Sequence, residues 1–207
     1  MRDPLLWQLA DSAFPAGGFA HSFGFEALRV LGMLRDEAEL AIRLHELAWH
    51  TGYAVLPFLA GAYAGDPVAA DRACDRFTAN HVANRASRAQ GRAFLLAIAA
   101  VLETRHALPC GHLPVAIGAA LVGHVTAGDA RELVMYTALR SALSAAVRLG
   151  VVGPLRAQHV LLRAAPVAAR ALAETAGLGP DDACSAAPMV ELAQAAHDRL
   201  YARLFQS

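Results

Sequence analysis

His45-Glu46-Leu47-Ala48-Trp49-His50 comes within one residue of H-E-x-x-H, the helical pattern that sets two imidazoles on one zinc ion. The second histidine is one position too late. A spacing of i+5 turns it about 140° away from the first on a helix of 3.6 residues per turn. A second candidate is Cys110-Gly111-His112, with His106 nearby, a soft-ligand cluster in a loop. Against it stands the absence of any CxxC in the sequence. Loop histidines and lone cysteines are also more often structural or solvated.

For nucleophilic catalysis, Ser12 and Ser22 flank a glycine turn close to Asp11 and His21. Neighbouring residues in a turn point apart, so His21 beside Ser22 is no dyad, and no G-x-S-x-G elbow occurs. Asp11 and Glu26 can pair as acid and base, but a capping or helix-dipole role suits each better. Gly17-Gly18 ahead of a helix suits a phosphate at a helix N-terminus, although one Gly-Gly pair without lysine is thin support. Arg85, Arg88 and Arg92 recur at helical spacing and share one face. Two uses of that face are open: an ordinary solvated surface, or an interface stripe.

Composition narrows the chemistry further. All 18 basic residues are arginine, balanced by 18 acidic ones. With no lysine there is no P-loop cation and no Schiff base, and a neutral chain lacks the basic footprint of a nucleic-acid binder. The three cysteines, Cys74, Cys110 and Cys184, lie far apart and suggest reduced thiols. Charged residues make up 17% against 56% hydrophobic. Such a balance implies a large core or a surface covered by partners. The apolar runs 93–102 and 113–122 are too short to span a membrane. No apolar run follows Arg2, Asp3 and Pro4 toward a cleavage site. The expectation is a cytoplasmic, soluble protein.

The elements that must position these groups read as helices throughout. Asp3 caps a short helix from Pro4 to Ala10, and the turn Phe14-Pro15-Ala16-Gly17-Gly18 follows. Ser22 caps a helix to about Leu31, ended by Gly32. Asp36 caps another, Glu37 to about Tyr53, with Leu40, Leu44, Leu47 and Thr51 inward, and Pro57 breaks or kinks its continuation. Gly65-Asp66-Pro67 opens Val68 to Phe77. The longest pattern runs Asn80 to His106. Leu108 to Pro114 is a loop, and helices follow at Val115–His124 and Ala130–Leu149. Arg156–Thr175 carries Pro166, where a kink or break is expected, and Met189 to about Leu204 closes the chain. No segment alternates with period two. The prediction is an all-α, single-domain bundle over 1–207 of roughly eight to ten helices with short connections.

Five stretches carry a resemblance. Gln8, Leu9, Ala10, Asp11, Ser12, Pro15, Gly17, Gly18, Phe19, His21, Ser22, Gly24 and Glu26 follow, in register, the pattern Q-L-A-D-S-x-x-P-x-G-G-[FY]-x-H-S-x-G-x-E. Arg85 to Arg92 is similar to an A-R-x-x-S-x-x-x-G-R helix, Leu113 to Gly118 to a P-x-x-x-G element, and Ala145 to Gly150 to A-x-x-R-L-G. His197 to Ser207 resembles H-[ED]-x-L-x-x-R-L-F-x-S. In this order these are signatures of the UreF family of urease accessory proteins. The chain departs from the family at Pro154, where glutamine is usual after the glycine, and at Asp198, where glutamate is commoner.

The resemblance implies a non-catalytic, all-helical, dimeric chaperone without a resident metal, nucleotide or other cofactor. Its implied partners are UreD (also called UreH), the GTPase UreG and urease apoprotein, on which UreG couples GTP hydrolysis to nickel delivery. The implied interface residues are Pro15, Gly17, Gly18, Phe19, His21, Ser22 and Glu26. To these it adds Arg85, Ser87, Arg88, Gly91 and Arg92, and the closing His197, Arg199, Arg203, Leu204, Phe205 and Ser207. The expected arrangement sets the closing segment against UreD and the Glu26 block near the GTPase. The closing Arg-Leu-Phe reads as an anchor for its own core or for another subunit. Two alternatives come from other classes. One is a strict GTPase-activating protein that inserts Arg85 or Arg88 into UreG. The other is a nickel-carrying metallochaperone using His106, Cys110 and His112.

Overall fold

Asp36, read from the sequence as a helix cap, does cap the helix it precedes, whereas Ser22, read in the same way, does not. In a computed structural model, which describes residues 4–207 and all their side chains except that of Phe19, Asp36 accepts the Glu39 N–H and opens α3 (Glu37–His50). Asp66 accepts from Ala69 ahead of α5 (Pro67–Phe77), and Asn80 accepts from Val82 and Ala83 ahead of α6 (His81–Leu102). The Asp3 cap lies outside the described residues. The fold is all-α. Ten α-helices, joined by short turns, are found among the described residues, and no strand is.

Several boundaries differ from expectation, each for a local reason. Helix α3 does not break before Pro57. A wide π turn, Thr51–Val55, carries it into α4 (Leu56–Tyr63). Proline lacks a donor and crowds the carbonyl four residues back, and the wider turn absorbs both effects. The extra turn brings Gly52 against Thr175, where a Cβ would stand 3.2 Å from the threonine methyl. Helix α6 stops at Leu102 rather than His106, because Glu103 turns left-handed at φ 54°. Helix α9 (Pro154–Glu174) continues unbroken through Pro166. Pro166 and Leu162, whose carbonyl the ring displaces, are both exposed, so water can serve that carbonyl. Pro154 takes the first position of α9, where its missing N–H costs nothing.

The ends of the chain depart most. Ser22 is not a cap: Gly24, left-handed at φ 82°, precedes α2 (Phe25–Val30). The last helix, α10 (Pro188–Ala196), passes into one 3-10 turn at His197–Arg199, and residues 200–207 run irregularly instead of as helix to Leu204. Their backbone donors are bound elsewhere, as described below.

The core lies where α3, α4, α8 (Ala127–Arg148) and α9 meet, with Leu40, Leu44, Leu47, Leu56, Leu59 and Met135 buried. Helix α7 (Leu113–Leu121) sits between α4 and α6 and is buried almost all round. It fits because Gly118 faces Leu59, where a Cβ would stand 3.0 Å from the carbonyl. Helix α1 (Pro4–Ala10) packs on α8 and α2 packs on α10, which brings the two ends of the sequence together.

Candidate functional site

Glu26 opens α2 with its side chain almost fully buried. One carboxylate oxygen faces Nε2 of His197 at 3.0 Å and accepts the Phe205 N–H at 3.2 Å. The other accepts the Leu204 N–H at 2.5 Å. A buried carboxylate is tolerated only when such donors surround it. Beside it, the Ser22 N–H and hydroxyl both donate to the Ser207 carbonyl, and His21 Nδ1 lies 2.5 Å from the Ser207 hydroxyl. The Gln206 N–H donates to the Ala20 carbonyl. Phe205 is buried beneath the Arg148 guanidinium, 4.2 Å from its ring centre. Burial, with His197 and then Arg85 adding to it, pushes the His21 imidazole down to about 4. The closing anchor therefore docks on its own chain.

The arginine face joins this latch. Arg85 grips Asp198 with both terminal nitrogens, the shorter contact at 2.8 Å, and His81 and Arg203 reach the same carboxylate at 3.2 Å. The Arg85 hydrogen bonds hold the Asp198 carboxyl below the usual range. The family's departure at Asp198 thus carries the contact between α6 and the closing segment.

The other residues of that helix segment hold the loop before α7. The Ser87 hydroxyl accepts the Leu113 N–H and lies 3.1 Å from His112 Nδ1. Arg88 Nε donates to the Cys110 carbonyl. Gly91 lets the loop touch the helix, since a Cβ there would stand 2.1 Å from the Gly111 carbonyl oxygen. Asp71, fully buried on α5, accepts the N–H groups of Cys110, Gly111 and His112 at 2.6, 3.0 and 2.9 Å. His112 Nε2 lies 3.1 Å from Asp75. Asn84 and then His112 hold that carboxyl low. Sequence reading did not find Asp71 or Asp75, and it saw Arg148 only as part of the A-x-x-R-L-G block, because their partners are too distant in sequence for spacing to show them.

These contacts bear on the metal candidates. Both ring nitrogens of His112 have neighbours, Ser87 and Asp75. Burial, then Asp71 and Asp75, pushes the Cys110 thiol up, away from the thiolate a metal needs. No group of three or more His, Cys, Asp or Glu able to hold a metal is found among the described residues.

The remaining expected site residues divide by exposure. Pro15, Gly17, Arg92, Arg199, Arg203 and Leu204 are exposed, and Gly18 is half-buried near Ser141. The side chain of Phe19 lies outside the described ones. Beneath the Gly17-Gly18 turn runs a cavity of about 960 Å³, lined in part by Gln90, Thr137, Ser141, His50 and Glu191. Among the described residues, no helix is long and apolar enough to cross a membrane.

Comparison with known proteins agrees with the motifs. The UreF family model matches residues 34–165. "Urease accessory protein F" of Oryza sativa subsp. indica is 30% identical, the match covering 96% of this chain and 83% of the rice protein. The Arabidopsis thaliana protein of the same name is 29% identical, over 97% of this chain and 91% of its own length. "Urease accessory protein UreF" of Paenarthrobacter aurescens is 32% identical, over 98% and 96% respectively. A family model over more than half the chain, and relatives aligned nearly end to end, place this chain in the UreF family of urease accessory proteins.

Proposed function

We propose that this chain is a non-catalytic scaffold in urease maturation, working as one all-helical domain and as a homodimer in the cytoplasm. It bridges UreD and the GTPase UreG on urease apoprotein and supports GTP-dependent insertion of nickel, which is cargo rather than a resident cofactor.

The observation that carries this reading is the convergence of three motif blocks. The segments 8–26, 85–92 and 197–207 meet through Glu26–His197, Ser22–Ser207 and Arg85–Asp198. Their chemistry-bearing groups are engaged with one another. That suits a shaped surface better than a reaction centre, which needs groups facing a substrate. Around the latch, Leu192, Tyr201, Leu204 and Arg199 are presented to solvent, the mix of apolar and guanidinium groups that partner surfaces favour. UreD is assigned to the closing segment and UreG to the side of the Glu26 block.

The test is co-purification with the UreD and UreG homologues of the same source, comparing wild type with a chain ending at Leu200. Wild type is expected to retain both, and the shortened chain to lose UreD while its helical circular dichroism persists. Retention of neither partner by wild type overturns the reading.

A further inference from the structure

The start of α6 forms one wall of a cationic groove. It encloses about 340 Å³ and is lined by Thr78, His81, Asn84, Arg85, Arg88 and Arg92. The carboxylates that reach it are already engaged. Asp198 is held by Arg85, His81 and Arg203. Asp75 accepts from Asn84 and faces His112, and stands 3.9 Å from Arg88. Arg88 is fixed through its Nε on the Cys110 carbonyl, with the side chain 39% exposed. Arg92 lies over Gly111, exposed, and has no acidic partner among the described residues. Two guanidinia therefore line the groove, Arg88 fixed on the loop beside Asp75 and Arg92 without an acidic partner among the described residues.

Beside the groove, Arg85 grips the Asp198 carboxylate with both terminal nitrogens, the geometry guanidinium favours for carboxylates. The two docking cations, Arg88 and Arg92, stand four residues apart, about 6 Å along the helix axis at 1.5 Å per residue. That matches the roughly 6.6 Å between alternate side chains of an extended peptide and suits two carboxylates on one acidic segment. Equal numbers of acidic and basic residues in the whole chain, 18 of each, disfavour a nucleic-acid backbone as the occupant.

We propose that this groove docks an acidic segment of a partner protein, with Arg88 and Arg92 as the docking cations and Arg85–Asp198 as the link to the closing segment. The proposal deepens the scaffold reading and takes its partner from it.

The experiment measures fluorescence anisotropy of a fluorescein-labelled hexaglutamate peptide at low ionic strength. Wild type is compared with Arg92→Glu, with Arg88→Ala/Arg92→Ala, and with Arg163→Ala, an exposed arginine on α9. Arg92→Glu keeps the Cγ that lies over Gly111 and removes no ion pair found among the described residues, so its result does not depend on the fate of the loop that Arg88 holds. Binding by wild type and by Arg163→Ala, with about tenfold weakening in both groove variants, is expected. Equal binding by the groove variants, or equal loss in Arg163→Ala, overturns the proposal. So does displacement of the peptide by low-millimolar inorganic phosphate beyond the effect of chloride at the same ionic strength, because the groove would then be a single-anion site. If wild type retains neither UreD nor UreG while peptide binding still maps to Arg88 and Arg92, the groove stands and only the scaffold reading fails.

Discussion

Glu26 and His197 are 171 residues apart in sequence, yet their side chains meet at 3.0 Å in the protein interior. With the N–H groups of Leu204 and Phe205 on the same carboxylate, that pair fastens the closing segment to the N-terminal block. Removing the carboxylate leaves buried donors without an acceptor. Glu26→Ala is expected to cost about 3–5 kcal/mol and Glu26→Gln, which keeps one acceptor oxygen, less. Trypsin cleavage at the exposed Arg199 and Arg203 should accelerate in Glu26→Ala at temperatures where the helices remain folded. Unchanged cleavage would show that the segment is held by something else.

The latch also sets a pH dependence. His21 falls from 6.5 to about 4, mainly through burial. Between those values the unfolded chain takes up a proton that the folded chain refuses. Stability therefore rises with pH across this window and is lost as pH falls from about 6.5 toward 4, by up to about 3 kcal/mol from this group. Urea denaturation from pH 7 to pH 4.5 should show that slope for wild type and a shallower one for His21→Asn. Parallel slopes would contradict the assignment.

Gly91 is where α6 and the loop before α7 touch. An alanine there would put its Cβ 2.1 Å from a backbone oxygen. Backbone cannot swing aside as a side chain can, so Gly91→Ala is expected to cost about 3 kcal/mol or more. Gly177→Ala, which meets nothing within 4 Å, is expected to stay within about 0.5 kcal/mol of wild type. Thermal unfolding of the two variants side by side makes the comparison.

Asp71 gathers three loop N–H groups in a fully buried position. Asp71→Ala should cost about 3–5 kcal/mol, and the amides of residues 110–112 should lose hydrogen-exchange protection ahead of the core. Exchange that accelerates uniformly along the chain would mean that Asp71 serves global stability and not this loop.

The parts of this fold that were legible in the sequence are the local ones. Asp36 caps α3 as read, and α5 and α6 start beside Asp66 and Asn80, where the sequence pattern placed their starts, because capping joins residues two or three positions apart. The inward face of Leu40, Leu44, Leu47 and Thr51 holds as well. The irregular course of residues 200–207 was not legible. Leu200 to Leu204 has helical composition, and what unwinds it is a carboxylate on α2 that binds the donors a helix would use. Pro57 signalled a disturbance, but whether a helix breaks or widens into a π turn depends on what packs against it, here Thr175 beside Gly52. At the site, the motif blocks were visible as types and spacing. That they meet one another, and that Asp198 joins Arg85 to the closing segment, follows from contacts more than a hundred residues long, which no local pattern encodes.

The most direct measurement of the scaffold account is the nickel content of urease. A host carrying the urease genes of the same source, with this gene deleted, is complemented with wild type or with Glu26→Ala, and the purified urease is assayed for nickel by atomic absorption. The account predicts near-full nickel with wild type, a large deficit without it, and an intermediate or low value with the latch variant. Urease that carries its full nickel in the deleted host, with UreD and UreG present, would contradict it.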